Sequence, residues 1–301
     1  MTINAPQLYT QKFSSNVALL AQQKLSRLES TVTTDSYTGE QVSPINQAGK
    51  LEMKPVNTRF QQKQRSDLSV DRRWLSPEDW DLQQLVDTFD KMKMAVELQS
   101  AEVAAAVAAR NRRKDYSIIA AFFADARTGK NGGSTTPFPT STDTNVVSVS
   151  YGATTSNISV AKLKKGLELF AANDVDIDEE EIFCGLSPKG NTALLNDIEI
   201  IDGNFSGAVR DAKGRLLAWN GISFKHGNNY ETGTDDASGT SRAIPMWCKS
   251  GMHLGTWTND VTRVREAQEY KGNPWELYCY QSLNATRIEE AKVLKIWCRE
   301  A

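Results

Sequence analysis

Hydrophobic side chains recur at spacings of three and four residues along one long stretch, from residue 82 to residue 123. This spacing is that of one face of an α-helix. The tetrapeptide at 76–79 (Ser-Pro-Glu-Asp) combines a capping Ser, a Pro suited to the first helical position and two acids that favour the positive end of the helix dipole. Gly129 supplies a stop signal. The pattern predicts a helical spine of about 50 residues over 77–127, which the polar cluster 111–115 could interrupt.

Downstream of this spine, shorter patterns alternate between strand and helix. A Gly/Ser/Thr/Pro-rich loop covers 129–145, and amphipathic helices are predicted at 159–172 and 188–196, the second opened by Ser187-Pro188. Runs rich in β-branched and aromatic residues predict strands. These lie at 146–150, 182–185, 215–219, 222–225, 243–257, 261–270, 275–286 and 292–298. The mixture places the chain in the α+β class.

The first 76 residues lack a comparable core-forming pattern. One amphipathic helix is predicted at about 14–29, and two short apolar segments, 51–53 and 56–60, could pair as an exposed hairpin. Between residues 50 and 73 there are seven bases and three acids, a local charge of +4. This region is either a solvated extension or, because apolar residues are interspersed so regularly, an arm that becomes ordered on a partner. We favour the arm, and its candidate contact residues are Lys50, Lys54, Arg59, Lys63, Arg65, Arg72 and Arg73.

Composition excludes several classes of protein. The chain has 35 Lys and Arg against 37 Asp and Glu, a formal net charge of −2, whereas a dedicated nucleic-acid binder needs a basic excess to contact phosphates. Its longest strongly apolar run, 118–124, is far shorter than the ~20 residues of a membrane-spanning helix. Residues 17–21 are too short for the apolar core of a secretory signal, and no basic segment precedes them, so no signal peptide is expected.

Cysteine and histidine usage argues against a disulfide framework and a structural zinc site. The four Cys are far apart in the sequence, none forms a C-x-x-C pair, and only two His are present. We expect reduced thiols, no metal and no cofactor. Cys248 and His253 are close in sequence and could be imagined as the nucleophile and the base of a small hydrolase. The alternative, which we favour, is that Cys248 packs in an apolar, Trp-rich strand region.

An acidic run near the middle of the chain is the most suggestive local cluster. Its alternating acids resemble the start of a calcium-binding loop, but that motif needs Gly at position 6 and Glu at position 12, where this chain has Glu179 and Gly185. A solvated acidic turn is the simpler interpretation. The other is an electrostatic contact with a basic partner surface such as the arm at 50–73. The acids concerned are Asp174, Asp176, Asp178, Glu179, Glu180 and Glu181.

The glycines at 129–135 have the composition of a phosphate-binding loop but not its order. They follow a predicted helix, whereas a phosphate-binding loop lies between a strand and a helix. The sequence also lacks the G-x-S-x-G, H-E-x-x-H and G-x-G-x-x-G motifs. The segment is therefore predicted to cap the helix and form a flexible loop.

Four stretches share their order and spacing with one known fold. Residues 120–133 (AAFFADARTGKNGG) resemble the end of a long helix and its glycine-rich turn, and residues 158–196 a succession of helix, acidic turn, strand and Pro-started helix. Residues 216–224 (LLAWNGISF) resemble a Trp-Gly strand segment, and residues 285–296 (ATRIEEAKVLKI) a closing segment. Together they resemble the major capsid protein fold of tailed bacteriophages, which is shared with the herpesvirus capsid floor and with encapsulin shells.

The resemblance implies a division of the chain into four parts. Residues 1–30 would be an N-terminal arm and residues 31–76 an extended loop. Residues 77–156 and 259–301 would form a peripheral domain that contains the spine helix, and residues 157–258 an α/β axial domain. Some members of the family crosslink a loop Lys to an Asn of a neighbour, and Lys50, Lys54 and Lys63 lie in the corresponding loop.

The function that the resemblance implies is that of a major capsid protein. Such a protein assembles into hexamers and pentamers of an icosahedral shell that encloses double-stranded DNA, in the virion and, during assembly, in the host cytoplasm. Members with a built-in scaffolding segment carry a long addition at the front, so a separate scaffolding protein is expected here. A portal and a decoration protein are further expected partners, DNA would be contacted non-specifically, and no membrane is involved. The alternatives are an encapsulin-like shell around a cargo protein and the Cys-dependent hydrolase.

Overall fold

The computed structural model describes residues 22–63, 65–86, 99–142, 144–152, 156–201, 207–258 and 261–300. The chain divides into two compact units. The smaller unit comprises residues 1–26, 79–113 and 258–281. The larger unit comprises residues 27–78, 114–257 and 282–301.

The helices of the described residues are α1 Gln99–Phe123, α2 Val160–Ala172, α3 Pro188–Leu195 and α4 Ile198–Ile201. Single 3-10 turns occur at Glu29–Thr31, Lys249–Gly251 and Glu290–Lys292. The starts of α2 and α3 follow the prediction, because a serine caps each of them. The Ser159 hydroxyl accepts from the backbone N–H of Lys162 at 3.5 Å, and that of Ser187 from Gly190 at 2.9 Å.

The strands account for most of the remaining ordered structure. They are β1 Thr33–Ser36, β2 Val42–Ala48, β3 Val70–Leu75, β4 Glu78–Val86, β5 Ala126–Thr128, β6 Ser134–Thr136, β7 Val146–Val147, β8 Ile182–Leu186, β9 Val209–Arg210, β10 Leu216–Trp219, β11 Ile222–His226, β12 Thr232–Thr234, β13 Thr240–Cys248, β14 Met252–Thr256, β15 Val261–Glu266, β16 Trp275–Arg287 and β17 Val293–Cys298. The predicted tight turn between β10 and β11 is confirmed, since Asn220 and Gly221 have φ angles of 47° and 80°.

The largest sheet lies in the larger unit. Its strands follow the order β7-β17-β13-β8-β11-β10-β9, and β12 pairs with β13 at the side. β8 is parallel to β11 and antiparallel to β13, and all five of its residues are buried. The apolar face of α2 packs in the same core, where Leu163 and Phe170 are fully buried with Met246 and Leu294 of the sheet. The predicted 3.6-residue period of α2 therefore marks its buried face.

A second set of strands is built around the long strand β16. In the larger unit β1 is parallel to β14, and β14 is antiparallel to residues 283–287 of β16. In the smaller unit β15 is antiparallel to residues 275–280 of β16. The small core of that unit contains Ala106 of α1 and Leu277 and Cys279 of β16.

A third sheet has the order β2-β3-β5-β6. β2 and β3 form a hairpin, and β3 pairs with β5 only at Arg73 and Trp74. The outer part of the hairpin therefore extends beyond the end of β5. Within the predicted 129–145 loop, β6 returns along β5 after a turn in which Gly129 and Gly132 have φ angles of 86° and 69°, a region that favours glycine.

The predicted start of the spine helix is wrong. Residues 78–86 form β4, which pairs with β16, and the described helix begins only at residue 99. Trp80 stacks on Arg113 with the guanidinium carbon 3.3 Å from the ring centroid, and the Gln83 amide donates to the Glu276 carboxylate. These contacts and the β16 ladder come from residues distant in sequence, so they override the local capping signal. Residues 87–98 of the predicted helix lie outside the described residues.

Two predictions for the N-terminal region also fail. The segments 51–53 and 56–60 are not strands, because the hairpin is formed by β2 and β3 instead, with the Gly49 N–H donating to the Ser69 carbonyl at 2.7 Å. Residues 22–28 are not helical, so the helix predicted at 14–29 does not extend over them, and the part at 14–21 lies outside the described residues. In both cases the apolar pattern covers too few residues to determine the secondary structure by itself.

Candidate subunit-contact surfaces

The segment between β2 and β3 exposes large apolar side chains. Met53 and Phe60 are essentially fully exposed, at 102% and 93%, and Val56 and Leu51 are exposed at 81% and 60%. Large apolar side chains this exposed and this close in sequence are typical of a surface that contacts another molecule. We call residues 49–69, with the outer ends of β2 and β3, the hairpin tip.

Most bases of the hairpin tip point to solvent. Lys54, Arg59 and Lys63 are exposed and form no ion pair within the described part of the chain, although the Arg59 guanidinium lies 5.6 Å from the ring centroid of Phe60. Arg65 pairs with Asp67 at 2.7 Å, and both side chains are exposed. Lys54, Arg59 and Lys63 are thus open to solvent, and that they contact an acidic surface stays a prediction.

Lys50 and Arg73 differ from the other basic candidates because each pairs with an acid outside the hairpin. The Lys50 ammonium bonds the Asp174 carboxylate, an exposed pair that lowers the pKa of Asp174 and raises that of Lys50. Arg73 is 3% exposed, and its guanidinium bonds Glu290 at 2.6 Å. Arg72 beside it is exposed. The alternation of a strand places Arg72 and Arg73 on opposite faces, which the charge count could not distinguish.

The acidic turn at 174–181 is partly neutralised by the chain itself. Glu180 bonds Lys292 at 2.8 Å and the Ser250 hydroxyl, and Glu181 pairs with Lys249 at 3.2 Å. Burial alone would raise the pKa of Glu180, but the hydrogen bonds from Lys292 and Ser250 hold it below its usual value.

The remaining acids of this turn are open to solvent. They carry no ion pair among the residues that the structure describes, and they are Asp176, Asp178 and Glu179. The hairpin tip and the acidic turn are thus two surfaces of opposite charge, and one contact, Lys50 to Asp174, joins them inside a single chain. Whether the other charges meet across subunits remains a prediction.

The candidate hydrolase pair does not have the geometry of a nucleophile and a base. Burial raises the pKa of the Cys248 thiol to about 12, so the thiolate is disfavoured. Both ring nitrogens of His253 bond hydroxyl groups, Nδ1 that of Thr33 at 2.9 Å and Nε2 that of Tyr37 at 2.8 Å. The four cysteines are free and buried, as the sequence predicted for reduced thiols.

Two further features are absent from the residues that the structure describes. These residues contain no group of His, Cys, Asp and Glu side chains arranged to hold a metal ion. None of their helices combines the length and the apolar character needed to cross a membrane.

The sequence model of a protein family described as phage capsid protein matches residues 5–300. The chain belongs to this phage capsid protein family. The match covers nearly the whole chain, so the resemblance inferred from the four short stretches is confirmed, and the phage capsid is favoured over the encapsulin-like shell and the hydrolase. The protein is a capsid protein of the virion, and its function is to form the shell.

Solved structures of phage capsids share the fold. The capsid of Ralstonia phage GP4 has a TM-score of 0.72 at 13% identity, with 98% of this chain and 96% of that chain covered. The cyanophage Pam1 capsid has a TM-score of 0.73 at 10% identity, with 98% of this chain and 97% of that chain covered. The capsid of cyanophage P-SCSP1u has a TM-score of 0.68 at 14% identity, with 100% of this chain and 96% of that chain covered. No curated protein matches the chain. The predicted α+β capsid fold is thus confirmed, although at such identities the neighbours establish fold alone.

Proposed function

We propose that this capsid protein is the major shell subunit, which assembles into hexamers and pentamers of an icosahedral shell around double-stranded DNA. The observation that carries the proposal is the family match over residues 5–300 together with the exposed hairpin tip. A shell subunit needs extensive contact area with its neighbours and no catalytic pocket. We accordingly propose a structural rather than an enzymatic role.

The chemistry of the hairpin tip supports a role in contacts between copies of the chain. Burying one large apolar side chain stabilises a contact by about 1.5–3 kcal/mol, whereas an exposed ion pair contributes only about 0–1 kcal/mol. Met53, Val56 and Phe60 would therefore provide most of the strength of a contact. The bases around them would set its register and keep it reversible during assembly.

Rings of five or six identical subunits require that one surface meets a different surface of the next copy. The hairpin tip, with Lys54, Arg59 and Lys63, is one such surface. The acidic turn, with three acids open to solvent, is a candidate for the other. We propose that these two surfaces face each other between neighbouring subunits.

The four-part division of the chain is proposed on the resemblance to the family. It assigns 1–30 to an arm, 31–76 to an extended loop, 77–156 with 259–301 to a peripheral domain and 157–258 to an axial domain. Within it, the exposed hairpin of β2 and β3 falls in the extended loop and α2 and α3 fall in the axial domain.

The proposed partners beyond the subunit itself are a separate scaffolding protein, a portal, a decoration protein and packaged DNA. Assembly is proposed to take place in the host cytoplasm. The net charge of −2 supports a container that confines DNA without binding it tightly. Co-expression with the scaffolding protein of the same phage should raise the yield of regular shells, and an equal yield without it would remove that partner from the proposal.

Sizing the purified protein tests the central proposal. We expect light scattering and negative-stain microscopy to show shells, or rings of five or six subunits, at high protein concentration. A monomer of 33.4 kDa under all assembly conditions would contradict the proposal. Mass spectrometry of the particle contents distinguishes the two kinds of shell, because an abundant co-purifying cargo protein would indicate an encapsulin.

A further inference from the structure

The β2–β3 hairpin changes from buried to exposed at one residue, Arg73. On β3, Val70 is 63% exposed, whereas Arg73 and Leu75 are each 3% exposed. Beyond Arg73 the strand no longer pairs with β5, so only β2 accompanies it. Arg73 is therefore the last buried residue of β3, and beyond it the hairpin contacts the rest of the described larger unit only at single polar side chains such as Gln47, Lys50 and Asp71.

At this point the hairpin is bound to the turn between β16 and β17. The Arg73 Nε donates to the carbonyl of Ile288 at 2.7 Å, and its Nη2 bonds the Glu290 carboxylate at 2.6 Å. The Gln47 amide on β2 donates to the same Ile288 carbonyl. Both strands of the hairpin are thus attached to a turn more than 200 residues away, and Glu290 supplies the charged contact.

The other oxygen of Glu290 faces a second arginine. Its Oε1 lies 3.4 Å from Nε of Arg287, whose side chain is fully buried. Arg287 also donates to the carbonyls of Phe122 and Ala124, each at 2.9 Å, at the end of α1. Glu290 consequently links the hairpin to the end of the long helix through two buried guanidinium groups.

The Glu290 carboxylate forms ion pairs with two buried guanidinium groups, those of Arg73 and Arg287. Burial lowers the pKa of Arg287, whereas Glu290 raises it and Arg73 lowers it further. Within the described residues Glu290 is the ion-pair partner of both arginines, and Nη1 of Arg73 is buried without a hydrogen-bond partner. Neutralising Glu290 would remove the ion-pair partner that two buried like charges share, with Asp125 left as the acid that acts on Arg287.

We propose that Glu290 is a positioning residue for shell assembly, whose carboxylate between Arg73 and Arg287 sets the direction in which the hairpin leaves the subunit. The inference rests on the proposed function, because direction matters only if the hairpin tip must meet a neighbouring copy. A hairpin without the Glu290 contact keeps its strand pairing and its contacts with Ile288, Gly129 and Asp174, but it is held less firmly and samples a wider range of directions. The entropy of fixing it again then opposes each contact.

The test compares Glu290→Gln with Asp67→Asn, which breaks the exposed Arg65–Asp67 pair of the same hairpin. Hydrogen exchange is measured by mass spectrometry on the unassembled subunit, in the hairpin (42–48 and 70–72) and in the core strands (182–186 and 244–248). We expect Glu290→Gln to accelerate hairpin exchange about tenfold, leaving the core strands within about twofold. Glu290→Asp, which retains the charge, should restore part of the protection, and Asp67→Asn should behave as the unsubstituted protein.

Shell yield at equal protein concentration is the second measurement. The yield of regular shells should fall for Glu290→Gln and recover in part for Glu290→Asp. Unchanged hairpin exchange would overturn the proposal, and so would an equal acceleration in the core strands, since that is general destabilisation. Failure of the unsubstituted protein to form shells would contradict the proposed function instead, and the exchange comparison would still decide whether Glu290 holds the hairpin.

Discussion

Asp235 shows how one buried carboxylate can order a loop. Its side chain is fully buried in the turn between β12 and β13, where it accepts hydrogen bonds from the Ser241 hydroxyl at 2.5 Å and from the backbone N–H groups of Ala237 and Gly239 at 3.0 and 2.8 Å. Arg299, beyond the end of β17, pairs with it at 2.6 Å. Burial would raise its pKa, but these donors outweigh burial and hold it at about 2.

Replacing Asp235 by Ala should therefore destabilise the subunit. The substitution leaves the hydroxyl, two N–H groups and a guanidinium without their acceptor, and we expect a loss of about 3 kcal/mol in the free energy of unfolding. Urea denaturation of the unassembled subunit at neutral pH measures it. Asp178→Ala, at an exposed acid, is the matched control and should change stability by less than about 0.5 kcal/mol.

The contribution of Asp235 to the free energy of unfolding also depends on pH. The folded pKa of Asp235, about 2, lies below the ~3.9 of an unfolded Asp, so its contribution is fully present above the unfolded value and is lost as the pH falls through the folded one. The stability difference between unsubstituted protein and Asp235→Ala should thus be constant from pH 7 to about 4 and shrink below it. A difference that disappears already near pH 5 would contradict this account.

Helices α2 and α3 show which elements local sequence can specify. Each combines a capping serine with an apolar face of 3.6-residue period, and both signals lie within the segment itself. Strand β4 shows the opposite case. Its start carries equally good helix signals, yet its hydrogen bonds go to β16, nearly 200 residues later, and no local pattern reports that partner.

The two serine caps should contribute unequally. Ser187 is buried and its hydroxyl lies 2.9 Å from the Gly190 nitrogen, whereas the Ser159 bond is 3.5 Å long. Ser187→Ala should cost about 1 kcal/mol, because a buried N–H loses its acceptor, and Ser159→Ala clearly less. Thermal or urea unfolding of the two variants side by side checks the order, and a larger loss for Ser159→Ala would refute it.

For the whole molecule, the near-neutral charge conceals two surfaces of opposite sign. The net charge of −2 includes a basic hairpin tip and an acidic turn. The structure divides each of them into charges used inside the chain, such as Arg73 and Glu180, and charges left in solvent. Only the second group is available to neighbouring subunits, so the count of +4 over residues 50–73 overstates what assembly can use.

Replacing Arg59, Arg65 and Arg72 together by Ala should reduce assembly without unfolding the subunit. Three exposed contacts of about 0.5 kcal/mol each amount to about a tenfold loss of shell yield under limiting conditions. Because salt screens exposed charges, assembly of the variant should also depend less on ionic strength. Light scattering over a salt series, with circular dichroism to verify the fold, provides the measurement.

A triple variant at exposed lysines outside the hairpin, Lys164, Lys213 and Lys271 to Ala, controls for the change in net charge. It should assemble with nearly the yield of the unsubstituted protein. Equal yields for the two triple variants would show that the hairpin charges have no specific role. Arg73 is left intact in this experiment, because its removal would disturb the buried site at Glu290 rather than a surface.

The sequence by itself determined the elements whose signals are short-range, which are the two capped helices, the turn at Asn220-Gly221 and most strands after residue 146. The order of four stretches also indicated the capsid family. The tertiary structure alone decided that residues 78–86 are a strand, that Arg73 is buried while Arg72 is exposed, and that Lys50 bonds Asp174. The physical reason is distance along the chain. Caps and periodicity act over a few residues, whereas strand pairing, burial and ion pairing join residues as far apart as Arg73 and Glu290, 217 positions from each other.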